Sequence, residues 1–337
     1  MIPSSGVDRS TSELTPPDVG DRLTPGVVEP GSLSLQGSPG ARLVSVIIPT
    51  TCELTKVGSL TRAISSVLNQ THVDLEVIVV CNGPRVARDI AARFEVSERL
   101  RWSYLEEGNV SRARHAGLLQ SRGEFFCFLD DDDELLPESL ERRIQAFEAD
   151  PEVDVVVTNG VVVFSDGRQP VITQQEKASI DRDGLAALTI FNWIGSAAPM
   201  FRARALWTDV FDINLRYFEW TYVFFDIYSR RRKIAFEDIQ TYVKYEDHGA
   251  SVSHSLPYLL AESEVLSQIL ALALPDPVKR ALRKKRCRSL NVKSVILKEQ
   301  EHLRAAWAAH WACLINGGYS YVFYTRHLVW ASLRRLI

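Results

Sequence analysis

The chain has 337 residues, 46% hydrophobic and 24% charged, with a formal net charge of −3. That suffices for one large or two modest soluble domains with a sizeable core, and it excludes an overall attraction to nucleic acid. The cysteines Cys52, Cys81, Cys127, Cys287 and Cys313 are scattered, with no CxxC pair and no metal-ligand spacing. The expectation is free thiols in a reducing compartment. No signal-peptide pattern or membrane span is visible, so the default location is cytoplasmic.

Residues 1–40 are rich in Pro, Gly, Ser and Thr with few apolar residues, a composition that predicts disorder. The run from Leu43 to Ile48, stopped by Pro49, predicts a strand buried on both faces. "GSLTRAISSVLNQ" then places Leu60, Ile64, Val67 and Leu68 at helical spacing. "LEVIVVCNGP" predicts a second buried strand, "VARDIAARFE" a helix and "LRWSYLEEG" a third strand. "VSRARHAGLLQSRG" predicts a helix with Gly123 as its C-cap, and "EFFCFLD" a fourth strand. The alternation implies right-handed crossovers and a mostly parallel, Rossmann-like α/β sheet flanked by helices.

Further on, "VDVVVTNGVVVFSDGRQPVI" predicts β structure turning around Ser165–Gly167. "NWIGSAAPMFRARALWTDVFD" predicts a loop followed by a helical stretch, "FEWTYVFFDIYSRR" a helix, and "KIAFEDIQTYVKYEDHGASVS" a strand with a polar loop. From Leu256 helical patterns dominate. The expected organisation is a disordered segment over 1–40, a main domain over 41–255 and a helical C-terminal extension over 256–337.

The fourth strand ends in "DDDDELLP", Asp130 to Pro137. Carboxylates suit a helix N-terminus, but each gains only about 0.3–1 kcal/mol there, and capping does not need four. The other reading is a hard divalent cation, Mg²⁺ or Mn²⁺, on oxygen ligands. Residues i and i+2 of an extended segment share a side, so Asp130 and Asp132 can face one ion, and such an ion serves phosphates. In open α/β sheets ligands sit beyond the carboxyl ends of the strands, where this run emerges.

The blocks "VSVIIPT", "AISSVLNQTHVDLEVIVVCNG" and "GNVSRARHAGLLQSRGEFFCFLDDDDELLP" occur in that order at close spacing. Together they closely resemble the inverting, GT-A-fold nucleotide-sugar glycosyltransferases of family 2, over roughly residues 43–255. The resemblance implies a GT-A sheet, a nucleotide-diphosphate sugar donor and a Mn²⁺ or Mg²⁺ cofactor. The acceptor it implies is a hydroxyl of a glycan or lipid-linked molecule in cell-surface polysaccharide biosynthesis.

It implies that Pro49 and Thr50 line the nucleotide base and that Asn82 reads a base edge. Cys81 falls where the family usually carries Asp; small buried packing at a strand end is the alternative for it. Arg114 matches an arginine that pairs with the diphosphate or braces the aspartates. Asp130 is placed at the ribose or metal-bound water, Asp132 on the metal, and Asp131 and Asp133 behind them or as caps. His115 stands where Asn is usual and receives no role.

The family's base is an Asp before Trp at a helix start. Aligning on Trp220 puts Glu219 there, with Asp226 as the fallback. His248 is a third-ligand candidate, a solvated loop histidine being the alternative, and Trp193 either stacks on a sugar or packs in the core. There is no Gln-x-x-Arg-Trp motif, so a single addition is expected rather than processive synthesis.

"KRALRKKRCRS" carries seven cations. It is either a solvated helix face or, with the Trp- and Tyr-rich tail, a contact for the inner face of a membrane. Two rival readings stay open: a nucleotidyltransferase, against which the first loop "PTTCELTKVGS" lacks glycine-rich, basic character, and a catalytically inactive nucleotide- or sugar-binding protein.

Overall fold

The computed structural model describes residues 42–71, 74–84, 90–94, 97–203, 208–246 and 255–333. Four strands form the parallel half of the sheet: β1 (Val44–Thr50), β2 (Leu75–Asn82), β3 (Leu100–Leu105) and β4 (Phe125–Phe128). They lie in the order β3-β2-β1-β4, and β1 pairs with β2 from Val44↔Leu75 to Thr50↔Cys81. Every residue of β1, β2 and β4 is buried, as the β-branched, unalternating runs require of central strands. Helices α1 (Val57–Leu68) and α2 (Val110–Gln120) make the crossovers.

The sheet continues through β8 (Pro199–Arg202), antiparallel to both β4 and β6 (Val155–Phe164). Beyond them lie β9 (Ile234–Tyr245), parallel to β6, and the short β5 (Glu134–Leu135). A hairpin strand β7 (Gly167–Pro170) folds back on β6. Helices α3 (Ser139–Ala149), α4 (Gln174–Arg182), α5 (Gly184–Ile190), α6 (Thr208–Phe211) and α7 (Glu219–Ser229) complete this part. The fold is thus α/β with a mostly parallel sheet between helices.

Three local expectations change. The stretch over 199–202 is a strand, not loop: Phe201 stacks on Phe126 of β4 with ring centroids 4.9 Å apart, and this pairing outweighs the weak local signal of four residues. Of the helix expected over 86–95, residues 86–89 and 95 lie outside the described residues, and Ala91–Arg93 is a single 3-10 turn. Gly123 does not cap α2, which ends at Ser121 in extended backbone. A Cβ on Gly123 would lie 2.5 Å from the Phe125 carbonyl oxygen and 2.7 Å from that of Leu43, so the glycine serves a close backbone approach beside β1.

The C-terminal helices are α8 (Leu256–Ala271), α9 (Asp276–Glu299), α10 (Leu303–Ile315) and, after a 3-10 turn over Tyr319–Tyr324, α11 (Thr325–Leu333). Val265, Leu266 and Ile269 of α8, and Val278 and Leu282 of α9, belong to the same apolar core as the sheet. Further along, Cys287, Leu290 and Cys313 form a separate small cluster. Among the described residues no helix is long and apolar enough to cross a membrane.

Candidate active site

The carboxyl ends of β1, β2 and β4 meet in one polar cluster. Thr50, the last residue of β1, donates its hydroxyl to Asp131 at 2.6 Å. Lys56 donates to the other oxygen of Asp131 at 2.8 Å. Asn82, ending β2, donates its amide to the Thr50 carbonyl at 2.9 Å. The first loop is therefore braced on the aspartates, and Asn82, the candidate base reader, is buried as part of that brace.

Arg114, on α2, is the centre of the arrangement. One Nη donates to Asp130 at 2.7 Å and the other to Glu219 at 3.0 Å. Its guanidinium lies 5.3 Å from the Trp220 ring. Burial alone would lower its pKa, but the two carboxylates raise it above its ordinary value. Asp130 answers in the opposite direction: burial pushes it up, yet Arg114 and the Ser196 hydroxyl at 2.6 Å hold it below the usual carboxylate range.

Glu219 is the first residue of α7, where the helix N-terminus favours a carboxylate. Its delivery depends on Phe218, which sits at φ 59°, a left-handed conformation that is strained for an aromatic residue. Packing compensates, since the Phe218 ring lies against Tyr258 of α8 with centroids 4.0 Å apart. Burial, Glu262 and Glu219 push the Tyr258 hydroxyl up to about 12.

The remaining aspartates are in charge surplus. Asp132 is exposed, and its pKa is raised by desolvation and by the charges of Asp130 and Asp131. Asp133 is buried and raised further, by burial first and then by Asp130 and Asp132. Burial lowers Lys56, but the aspartates leave its pKa raised.

No three ligating side chains converge on a metal position among the described residues. Both oxygens of Asp130 already accept hydrogen bonds, and Asp132 has no ion pair among the described residues. This donor set fits a hard cation that takes one protein carboxylate and completes its shell with substrate phosphates and water, the habit of Mg²⁺, and not a closed protein cage.

Of the other expected residues, Pro49 lies within β1, one residue before the brace. Asp226 lies two turns beyond Glu219 and is held by Arg230 at 2.9 Å, away from the cluster. Trp193 is core: its indole is buried and donates to the Gly184 carbonyl. His115 approaches Asp212 at 3.6 Å. His248 lies outside the described residues.

The expectation of free thiols is overturned at two positions. Cys52 and Cys81 form a disulfide with Cα atoms 5.5 Å apart, which removes the cysteine argument for a reducing compartment. The other three cysteines are free and buried. Sequence reasoning also missed Lys56 and Tyr258. Only Lys56 had a visible signal, a cation in the loop after β1, where parallel sheets bind ligands.

A Rossmann-like sheet with an aspartate run, a bridging arginine and a helix-start carboxylate at its carboxyl edge defines a GT-A type transferase domain. Residues 45–207, just under half of the chain, match the model of Glycosyl transferase family 2, so this part is similar to that family of transferases. An uncharacterized glycosyltransferase of Rickettsia typhi is 30% identical over 118 residues, 35% of this chain and 36% of that protein. One of Nostoc sp. is also 30% identical, over 34% of this chain and 36% of its own length. The matched stretch thus spans about a third of these relatives.

Among solved structures, S. aureus TarS 1–349 in complex with UDP-GlcNAc is similar at a TM-score of 0.53. It has 22% identity and covers 74% of this chain and 71% of that one. At this identity the likeness establishes the fold.

Proposed function

We propose that the protein is an inverting glycosyltransferase that moves one sugar from a nucleotide-diphosphate sugar to a hydroxyl of a glycan or lipid-linked acceptor in polysaccharide synthesis. The observation that carries this reading is Arg114 joining Asp130 to Glu219. One buried cation ties Asp130 to Glu219, which supports reading the two as donor contact and base.

Glu219 takes the proton of the acceptor hydroxyl as its oxygen attacks the anomeric carbon from the face opposite the leaving group. The bond between that carbon and the phosphate oxygen breaks, and the nucleoside diphosphate departs with the bonding electron pair. Arg114 fixes Glu219 and Asp130 at one spacing, so that donor and acceptor are oriented together. Asp132 would hold Mg²⁺ or Mn²⁺, which would supply positive charge where the leaving group accumulates negative charge.

The test is a panel of nucleotide sugars, UDP sugars first because the similar TarS structure holds one, scored for metal-dependent release of nucleoside diphosphate. Glu219→Gln should lower kcat by about 10²–10⁴-fold with the donor KM nearly unchanged, whereas Asp132→Ala should weaken metal and donor binding. Full activity in Glu219→Gln sinks the assignment of the base. Binding without turnover favours an inactive binding protein, and pyrophosphate release favours a nucleotidyltransferase.

A further inference from the structure

We propose that the C-terminal helices form a docking surface for an anionic lipid bilayer. This goes beyond the catalytic reading and does not depend on it. Trp311 and Ile315 lie one turn apart on α10 and are 52% and 79% exposed. The 3-10 turn that follows exposes Tyr319 by 73% and Phe323 by 78%, and α11 adds Trp330 at 66%. Three consecutive segments thus hold large apolar and aromatic side chains in water. Apolar exposure concentrated in this way marks a contact surface.

The charge around it identifies the partner. Residues 256–337 contain 13 lysines and arginines against five acids, whereas residues 1–255 contain 26 against 37. The chain as a whole is acidic, and its C-terminal quarter is strongly basic. Cations of α9 reach the aromatic segments directly: Arg286 donates to Asn316, next to Ile315, at 2.9 Å. At the other end, Lys298 stands 5.9 Å from the Tyr324 ring.

Tryptophan and tyrosine favour the interface between headgroups and acyl chains, and nearby lysines and arginines are drawn to anionic lipid. A second copy of this chain is a poorer occupant, because it would bring the same positive surface against itself. Phe218 against Tyr258 links α8 to Glu219, so the surface belongs to the helical layer that supports the candidate base.

The experiment is sedimentation of the full chain with phosphatidylcholine vesicles, with and without phosphatidylglycerol. Binding should require phosphatidylglycerol and weaken as salt rises. A variant carrying Trp311→Ser, Phe323→Ser and Trp330→Ser should bind those vesicles about tenfold or more weakly. Arg283→Glu with Lys284→Glu, both exposed, should weaken binding by a similar factor of about ten. Circular dichroism and Tm confirm that both variants fold.

Equal binding with and without phosphatidylglycerol, or none to either, overturns the proposal. So does a wild-type dimer in solution that the aromatic variant turns into a monomer, since the surface is then a self-association interface. Loss of sugar transfer with vesicle binding intact would sink the catalytic reading and leave this one standing.

Discussion

Two carboxylate clusters occupy opposite ends of the same pair of parallel strands. At the amino end, Glu76 of β2 is 2% exposed and accepts from the Ser45 hydroxyl at 2.6 Å and Arg101 at 2.7 Å. It also accepts from the backbone and side chain of Arg122 at 2.7 and 3.0 Å. Burial would raise its pKa, but these donors bring it below the ordinary value. At the carboxyl end, Arg114 and Lys56 serve Asp130, Asp131 and Glu219, while Asp132 and Asp133 stay raised. The chain completes its own charge balance at one end and leaves negative charge over at the other. Crowded carboxylates that resist ionisation are costly to keep, and at the ligand-binding edge they are what the cation proposed above would relieve.

The most forceful way to break this comparison is Arg114→Ala. It removes the shared partner of two carboxylates from a buried position and should cost about 3–5 kcal/mol in urea unfolding, with sugar transfer abolished. A loss near zero would mean that the carboxyl end is held together by something else. Next in size is the disulfide at the same edge. Cys52 and Cys81 are 29 residues apart in sequence, and Cys52→Ser with Cys81→Ser should cost about 3 kcal/mol through the freed loop entropy. Thiol titration of the denatured, unreduced protein should find three reactive cysteines; five would refute the pairing.

The two ends also differed in how well they could be read from sequence. β1, β2, β4 and the aspartate run were legible because buried parallel strands are long apolar runs, and because the emergence of carboxylates at a strand end needs no tertiary knowledge. Glu219 was legible only through alignment on Trp220, and its meeting with Arg114, 105 residues earlier, depends on how α7 crosses the sheet. The disulfide was hidden for a related reason: Cys52 and Cys81 become neighbours only once Thr50 and Cys81 are known to lie in register. β8 was missed because its four residues have no periodicity of their own and gain their strand character from Phe126 and Val155–Val157. The Glu76 cluster drew no notice at all, since a lone Glu near the start of an apolar strand resembles surface charge until Arg101 and Arg122 are folded over it.

The completed end provides the control. Glu76→Gln removes charge-assisted bonds and should cost about 2 kcal/mol at neutral pH, leaving kcat and KM for the donor unaltered. The folded pKa of Glu76 is lowered, so the stability it contributes is present above its ordinary value of 4.5 and disappears as pH falls through the folded value. The wild type should therefore converge on Glu76→Gln in acid unfolding curves. A gap that persists at low pH would mean that shape, and not charge, holds this end.

The smallest effect should have the opposite sign. Asp133 is buried with its pKa well above 3.8, chiefly through desolvation and then through Asp130 and Asp132. A carboxyl raised in this way contributes stability that is complete below its ordinary value and is lost as pH rises through the folded one. At neutral pH, Asp133→Asn should therefore raise Tm slightly, and the gain should vanish in acid. Added Mn²⁺ with a nucleoside diphosphate distinguishes a packing effect from a charge effect. If the surplus exists to receive a cation, the bound ion relieves Asp133 in the wild type, and the advantage of the Asn variant should shrink. An advantage unchanged by metal and nucleotide would mean that the surplus serves no ligand, and the contrast between the two ends of the sheet would lose its functional meaning.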